Sequence, residues 1–390
     1  MKEYKISKGW ALIIYISTPL LIVFFGYLLI ISSLSERYDP ITVWLLIPVS
    51  TLMIILLVYG ILETYISKFV IQENSIKSIR AFSKRELEFD QIKGFTVNEQ
   101  YIFIEPKNDD KKVIKISTYI SGYSEVIGWL SKNFPNLDIQ NMKQEEQEIL
   151  QNEQIGWTTE EREEKFHRQK SISKVVNWVG GLSAAWIIFY PKYYQFSIMI
   201  AIIIPIAALL LVKFSHGLIR IDERRGSAYP SIVYALLLPS VALTFRALLD
   251  FNIYSYSNVW LPSITMTLFL IIIMFFKQKE FSFKNRRDFT SAIILSVFLF
   301  AYSFGVVIHY NCQYDHSKAE QLTATVLDKR ISTGNSTNYY LKLSTSEHQD
   351  KVRDVRISQV LYNRVEVGAE INVYLREGKL GIPWFIVSDR

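Results

Sequence analysis

A single cysteine, Cys312, stands in 390 residues. No intramolecular disulfide framework is therefore available, and any segment outside the cytoplasm must be held by its packed core. Carboxylates near the centres of the long apolar runs are also missing, although proton and ion carriers ordinarily place them there. The sequence has no P-loop, no Rossmann glycine fingerprint, no G-x-S-x-G elbow and no H-E-x-x-H pair. No catalytic centre and no cofactor are expected. The formal charge of +6 is modest, and basic loops of a membrane protein account for it without a nucleic-acid partner.

What the chain does have is hydrophobicity in blocks. Half of its residues are hydrophobic, gathered into runs of about 20, enough to cross ~30 Å of hydrocarbon. Seven spans are expected, at 10–31, 43–66, 175–190, 196–212, 231–249, 259–276 and 291–309. The first is too long for a signal-peptide core and no small-x-small cleavage site follows it, so it reads as an uncleaved span. Prolines 19, 48, 205 and 239 fall inside spans. They fit broken transporter helices or simply the higher proline content of membrane helices.

Loop charges predict the orientation. Lys2, Lys5 and Lys8 precede the first span. Lys213, Arg220, Arg224 and Arg225 join spans 4 and 5, and Lys277, Lys279, Lys284, Arg286 and Arg287 join spans 6 and 7. The alternate loops hold Arg37, Lys192 and no basic residue at all. With seven spans every basic loop falls on one side, which the positive-inside rule makes cytoplasmic. The expected setting is the bacterial plasma (inner) membrane, with the N-terminus inside and the C-terminus outside.

The polar insertion at 67–136, between the leading hairpin (1–66) and the rest, alternates as β structure. Runs at 69–72, 76–82, 86–89, 94–98, 101–105 and 113–116 precede a helix over 122–133 that Pro135 stops. KNDDKK at 107–112 reads as a turn. The stretches FVIQENSIKSIRAFSKRELEFDQIKGFTV and ISGYSEVIGWLSKNFP together resemble the bacterial pleckstrin-homology-like domains attached to membrane helices. The resemblance covers about a fifth of the chain, rests on pattern rather than an invariant motif, and implies a binding module for anionic lipid headgroups or a cytoplasmic protein. Lys77, Arg80, Lys84 and Arg85 are the candidate contacts. Since Glu86, Glu88 and Asp90 follow them, the same residues also fit a solvated strand face.

Residues 137–173 form a charged helical linker, in which Thr158 and Glu161 fit a capping box opening a helix into span 3. A five-helix block (174–311) follows. Residues 318–390 then give about five strands, with ISTGNSTN as a turn and a helical turn at 358–363. A small β-barrel of OB-like or SH3-like kind is expected, and its VGAEINVYL pattern is similar to small β domains on bacterial membrane proteins. The predicted fold class is thus membrane all-α plus two small β-rich domains.

Two polar groups near the membrane draw notice. Arg246 and Asp250 share a helix face near the outer end of span 5, as a substrate or ion site or a locally paired snorkelling arginine. His309, Cys312, Asp315 and His316 offer Zn²⁺-type ligands but match no standard spacing, and interface histidines with a structural thiol explain them as simply. GSAYPS at 226–231 reads as a helix start rather than a phosphate cradle.

These readings converge on a non-enzymatic transmembrane scaffold or sensor linking a cytoplasmic binding domain to an outer β domain. The alternative is a transporter or channel component with regulatory domains.

Overall fold

The computed structural model describes residues 1–34, 40–108, 110–190, 192–276, 278, 280–283, 286–333, 337–345 and 353–388. Arg37, Lys277, Lys279 and Lys284 of the loop-charge argument lie outside the described residues, as do the centres of the KNDDKK and ISTGNSTN turns. The chain divides into two compact units. The first is Met1–Glu146 with Arg225–Ala228, and the second is Gln147–Arg224 with Tyr229–Arg390.

The first unit begins with a strand the sequence reading did not foresee, β1 (Lys2–Lys5). Two helices follow, α1 (Lys8–Leu34) and α2 (Pro40–Ile66), before the chain returns as β2 (Lys68–Ile71) alongside β1. β3 (Ser75–Arg80) and β4 (Ser83–Glu88) complete an antiparallel sheet in the order β1-β2-β3-β4. β5 (Ile92–Val97), β6 (Tyr101–Pro106) and β7 (Ile114–Ser117) form a second sheet, and α3 (Tyr123–Asn133) and α4 (Leu137–Gln151) follow.

Strand alternation decides what each residue does here. Phe69, Ile76, Leu87, Phe95, Ile102, Ile104 and Ile114 turn inward and are almost fully buried, joined by Val126 and Leu130 of α3. Each such side chain contributes about 1.5–3 kcal/mol on burial. The helix turns one stripe inward because its apolar residues recur at four-residue spacing, and a cap at Phe134 ends it before Pro135.

In the second unit α5 (Thr159–Phe189), α6 (Tyr194–Phe214), α7 (Val233–Asp250), α8 (Trp260–Phe275) and α9 (Arg286–Gln313) follow in sequence. Thr158 caps α5, its hydroxyl accepting from Glu161 N at 3.2 Å. The linker is two helices rather than one, because the chain breaks between α4 and α5. There Arg162 donates to the carbonyls of Leu150, Gly156 and Trp157. α7 is the hub, packed against α5, α6 and α9. Its buried face is rich in small residues, Ala235, Ser240, Ala242 and Ala247, which let helices approach closely in a membrane. At Gly180 of α5 an added Cβ would stand 2.7 Å from the Ala235 Cα.

Six helices, α1, α2, α5, α6, α7 and α9, are long and apolar enough to cross a membrane. The remaining predicted span is α8, only 16 residues long, or about 24 Å at 1.5 Å per residue. Its C-terminal carbonyls are capped by Lys213 Nζ, which donates to Met274 O at 3.1 Å and Phe276 O at 2.6 Å.

The second unit also carries a β domain. β8 (Asn252–Ile253), from the α7–α8 connection, is a second unforeseen strand. β9 (Glu320–Thr333), β10 (Thr337–Thr345), β11 (Arg353–Ile357), α10 (Gln359–Arg364), β12 (Glu370–Arg376) and β13 (Trp384–Ser388) follow. All pairings are antiparallel, in the order β11-β10-β9-β12-β13-β8, and the sheet is nearly closed and barrel-like. Val326, Leu341, Leu343, Val355, Ile371 and Phe385 fill its interior.

Candidate functional site

The first unit contains a cavity of about 350 Å³ at the point where α1 and α2 leave the strands. Trp10 from the first turn of α1 and Glu63 from the last turn of α2 form part of its wall. Ser78 and Arg80 of β3, Tyr101 of β6 and Lys115 of β7 add polar groups, together with Lys68, which pairs with Glu3 at 3.0 Å. β3 supplies two of these because alternate residues share a face: Ser78 and Arg80 turn the same way as the core residue Ile76.

Glu63 organises the polar side. Its Oε1 lies 2.5 Å from Arg80 Nε, and its Oε2 accepts from Ala81 N at 3.0 Å and from the Tyr59 hydroxyl at 3.4 Å. The hydrogen bond to Glu63 holds the Arg80 guanidinium above its ordinary pKa. Lys115 is placed differently. Its Nζ sits 3.6 Å from the Tyr101 ring centroid and 5.7 Å from that of Phe103, and it has no ion-pair partner among the described residues. Trp10 packs against Tyr119 at a tilt, with centroids 4.5 Å apart. An aromatic, largely apolar hollow whose Lys115 has no ion-pair partner among the described residues is chemically suited to an amphiphile carrying negative charge.

The four basic residues singled out in the sequence are not gathered at one place. The β3–β4 register puts Lys77 opposite Glu86 and Lys84 opposite Ile79, on the outer face. Lys77 pairs with Glu86 at 2.9 Å, and this hydrogen bond holds the Glu86 carboxyl below its ordinary range. Arg85 donates to Val113 O at 2.5 Å. Only Arg80 reaches the cavity. Glu63, Trp10, Tyr101 and Lys115 were missed. A lone carboxylate in the last turn of a long apolar helix was the readable signal for Glu63.

Arg246 and Asp250 form an ion pair of 2.9 Å on α7. The Tyr194 hydroxyl also donates to Asp250, and the Arg246 guanidinium lies 5.5 Å from the Tyr194 ring centroid. The trio ties the start of α6 to the end of α7. A hollow of about 320 Å³ beside it is bordered by Asp250, Asn252, Arg356 and Trp384.

The His309, Cys312, Asp315 and His316 run is dispersed. His309 is buried, with Nε2 3.2 Å from Leu243 O and Nδ1 3.3 Å from Gln313 Nε2. Cys312 is buried in an apolar cluster with Ile308 and Ile382. Asp315 accepts from Trp384 Nε1 at 2.7 Å, Ser317 N at 2.8 Å and Gly378 N at 3.1 Å. Burial alone would raise its pKa, but these hydrogen bonds win and hold it low. His316 is exposed. Among the described residues no three His, Cys, Asp or Glu side chains are placed to hold a metal ion.

The GSAYPS segment makes polar contacts within the first unit. Ser227 Oγ and Ala228 N donate to Glu145 Oε2 at 2.7 and 2.8 Å.

No family model, no curated protein and no solved structure matches the chain.

Proposed function

We propose that this chain is a non-enzymatic scaffold or sensor of the bacterial plasma membrane, whose first unit binds an anionic lipid headgroup on the cytoplasmic side. The observation that carries the reading is the cavity at the roots of α1 and α2, where Lys115 is left without a carboxylate beside the Arg80–Glu63 pair. Helix roots mark the membrane surface, so a ligand entering there is amphiphilic. A basic residue at that level contributes about 1 kcal/mol toward an anionic surface.

Two topological features support the domain readings. A four-stranded and a three-stranded sheet closed by α3 are the parts of a pleckstrin-homology-like domain. In this chain the α1–α2 hairpin takes the place of the loop between its first two strands. In the second unit, taking β9 as the first strand, the order is 3-2-1-4-5 with α10 between the third and fourth. That arrangement favours the OB-like alternative over the SH3-like one. Loop charge favours an extracytoplasmic setting for the OB-like domain.

The test is photo-crosslinking of the full chain in nanodiscs containing a diazirine-labelled phosphatidylglycerol. Labelled peptides covering Trp10, Tyr101 or Tyr119 are expected. Labelling confined to the apolar faces of the helices would remove the proposal.

A further inference from the structure

Below Gly180, toward the N-terminus of α5, polar side chains bridge α5 to the segment that enters α7. Ser173 Oγ and Asn177 Nδ2 both donate to Ser231 O, at 2.5 and 2.8 Å, and Asn177 Oδ1 accepts from Ala235 N at 3.0 Å. These bonds close a polar floor. Outside it lies an open groove of about 470 Å³. Trp178, Tyr234 and Leu238 form its walls, exposed by 63%, 49% and 41%. Lys170 and Lys174, one turn apart on α5, stand at its rim, with Glu223 as the one carboxylate in the lining. Neither lysine has an ion-pair partner among the described residues.

The sequence of α5 sets the depth of this groove. The helix is TEEREEKFHRQK at its start and becomes apolar past Lys174. The two lysines therefore stand where headgroups meet hydrocarbon, with Trp178 and Tyr234 at the level of an aromatic belt. A cleft between membrane helices at that depth is covered by lipid, and unpaired lysines at its rim select phosphate without a compensating cation.

We propose that this groove binds one anionic glycerophospholipid, its phosphate held by Lys170 and Lys174 and an acyl chain laid against Trp178 and Leu238. The site is separate from the cavity of the first unit and does not depend on it.

The experiment is native mass spectrometry of the full chain released from nanodiscs of equal phosphatidylglycerol and phosphatidylethanolamine. Retention of a phosphatidylglycerol adduct in preference is expected. K170Q/K174Q should lower that preference roughly ten- to thirtyfold, whereas K192Q, at the opposite end of the block, should leave it unchanged. L238W fills the groove without altering charge and should reduce retention with both lysines in place. K115Q scores the first unit's cavity independently, so loss at one site is told from loss at the other. Equal retention of the two lipids, or a preference unchanged by both K170Q/K174Q and L238W, would overturn the proposal.

Discussion

Tyr4 stands directly opposite Phe69 in an antiparallel ladder, their rings stacked 6.2 Å apart, although two long apolar helices separate them in sequence. The first strand of the first unit is thus laid down before the hairpin, and the sheet is completed only after it. Lys68 pairs with Glu3 at 3.0 Å and Lys2 with Glu125 at 2.5 Å, fixing the same edge. Tyr4→Ala should destabilise the first unit by about 3–5 kcal/mol, the range for truncating a buried aromatic. Hydrogen exchange of the Phe69 and Ile71 amides checks it, and unchanged protection would mean that β1 contributes little.

Glu63 locks α2 to the β3–β4 hairpin through Arg80 and the Ala81 amide. Glu63→Ala strands both donors and should cost about 1.5–3 kcal/mol, the scale of hydrogen bonds to a charged group. Proteolysis near the exposed Phe82 should accelerate accordingly. A variant cleaved at the wild-type rate would show that the pair is incidental.

Glu280 accepts from Ile221 N and Asp222 N at 2.8 and 2.9 Å, with Arg224 bonded to its carbonyl. Burial is nevertheless the largest influence and pushes its carboxyl above the ordinary value. The folded chain then holds this proton more tightly than the unfolded chain. The resulting stability is present at low pH and is lost as pH rises from the ordinary carboxylate value through the raised one. Glu280→Gln should flatten that part of the pH profile. Thermal midpoints of the detergent-solubilised chain from about pH 4 to about pH 7 measure it, and an unaltered slope would assign the dependence elsewhere.

Gly378 has φ +78°, and a Cβ there would run into Ile382 O and the Asn311 side chain. That contact belongs to the seat of the β domain, where Asn311 Nδ2 donates to Ile382 O and its Oδ1 accepts from Leu380 N, both at 2.9 Å. Gly378→Ala should loosen the seat by about 1–3 kcal/mol. Cys312, 5% exposed and the only thiol, reports on it directly. Maleimide should label the variant faster than the parent, and equal rates would contradict the account.

Most of the long apolar helices were legible as nearly unbroken runs, α5 only from its apolar C-terminal half, and most strands of both β domains because their alternation survives in sequence. β1 and β8 were not, being four and two residues long. In KEYK a single inward Tyr4 carries the strand, and only its distant partner reveals it. The basic run 77–85 shows a different limit. Its charges were plain, but which residues share a face depends on the β3–β4 register, and that follows from a tight turn at Ala81–Phe82. Lys115 was hidden because IKIS looks like any half-buried strand until Tyr101 is placed beneath its amine.

The measurement that bears most directly on the central claim compares Lys115→Gln with Lys77→Gln for binding of phosphatidylglycerol vesicles to the first unit's cavity, read by lipid photo-crosslinking at Tyr101 and Tyr119. Both variants remove one positive charge from the same domain, but only Lys115 lines the cavity. The account predicts a loss of about fivefold in K115Q, the equivalent of about 1 kcal/mol, with K77Q close to the parent. Equal loss in the two variants would reduce the effect to general surface charge and contradict the assignment of the cavity as a binding site.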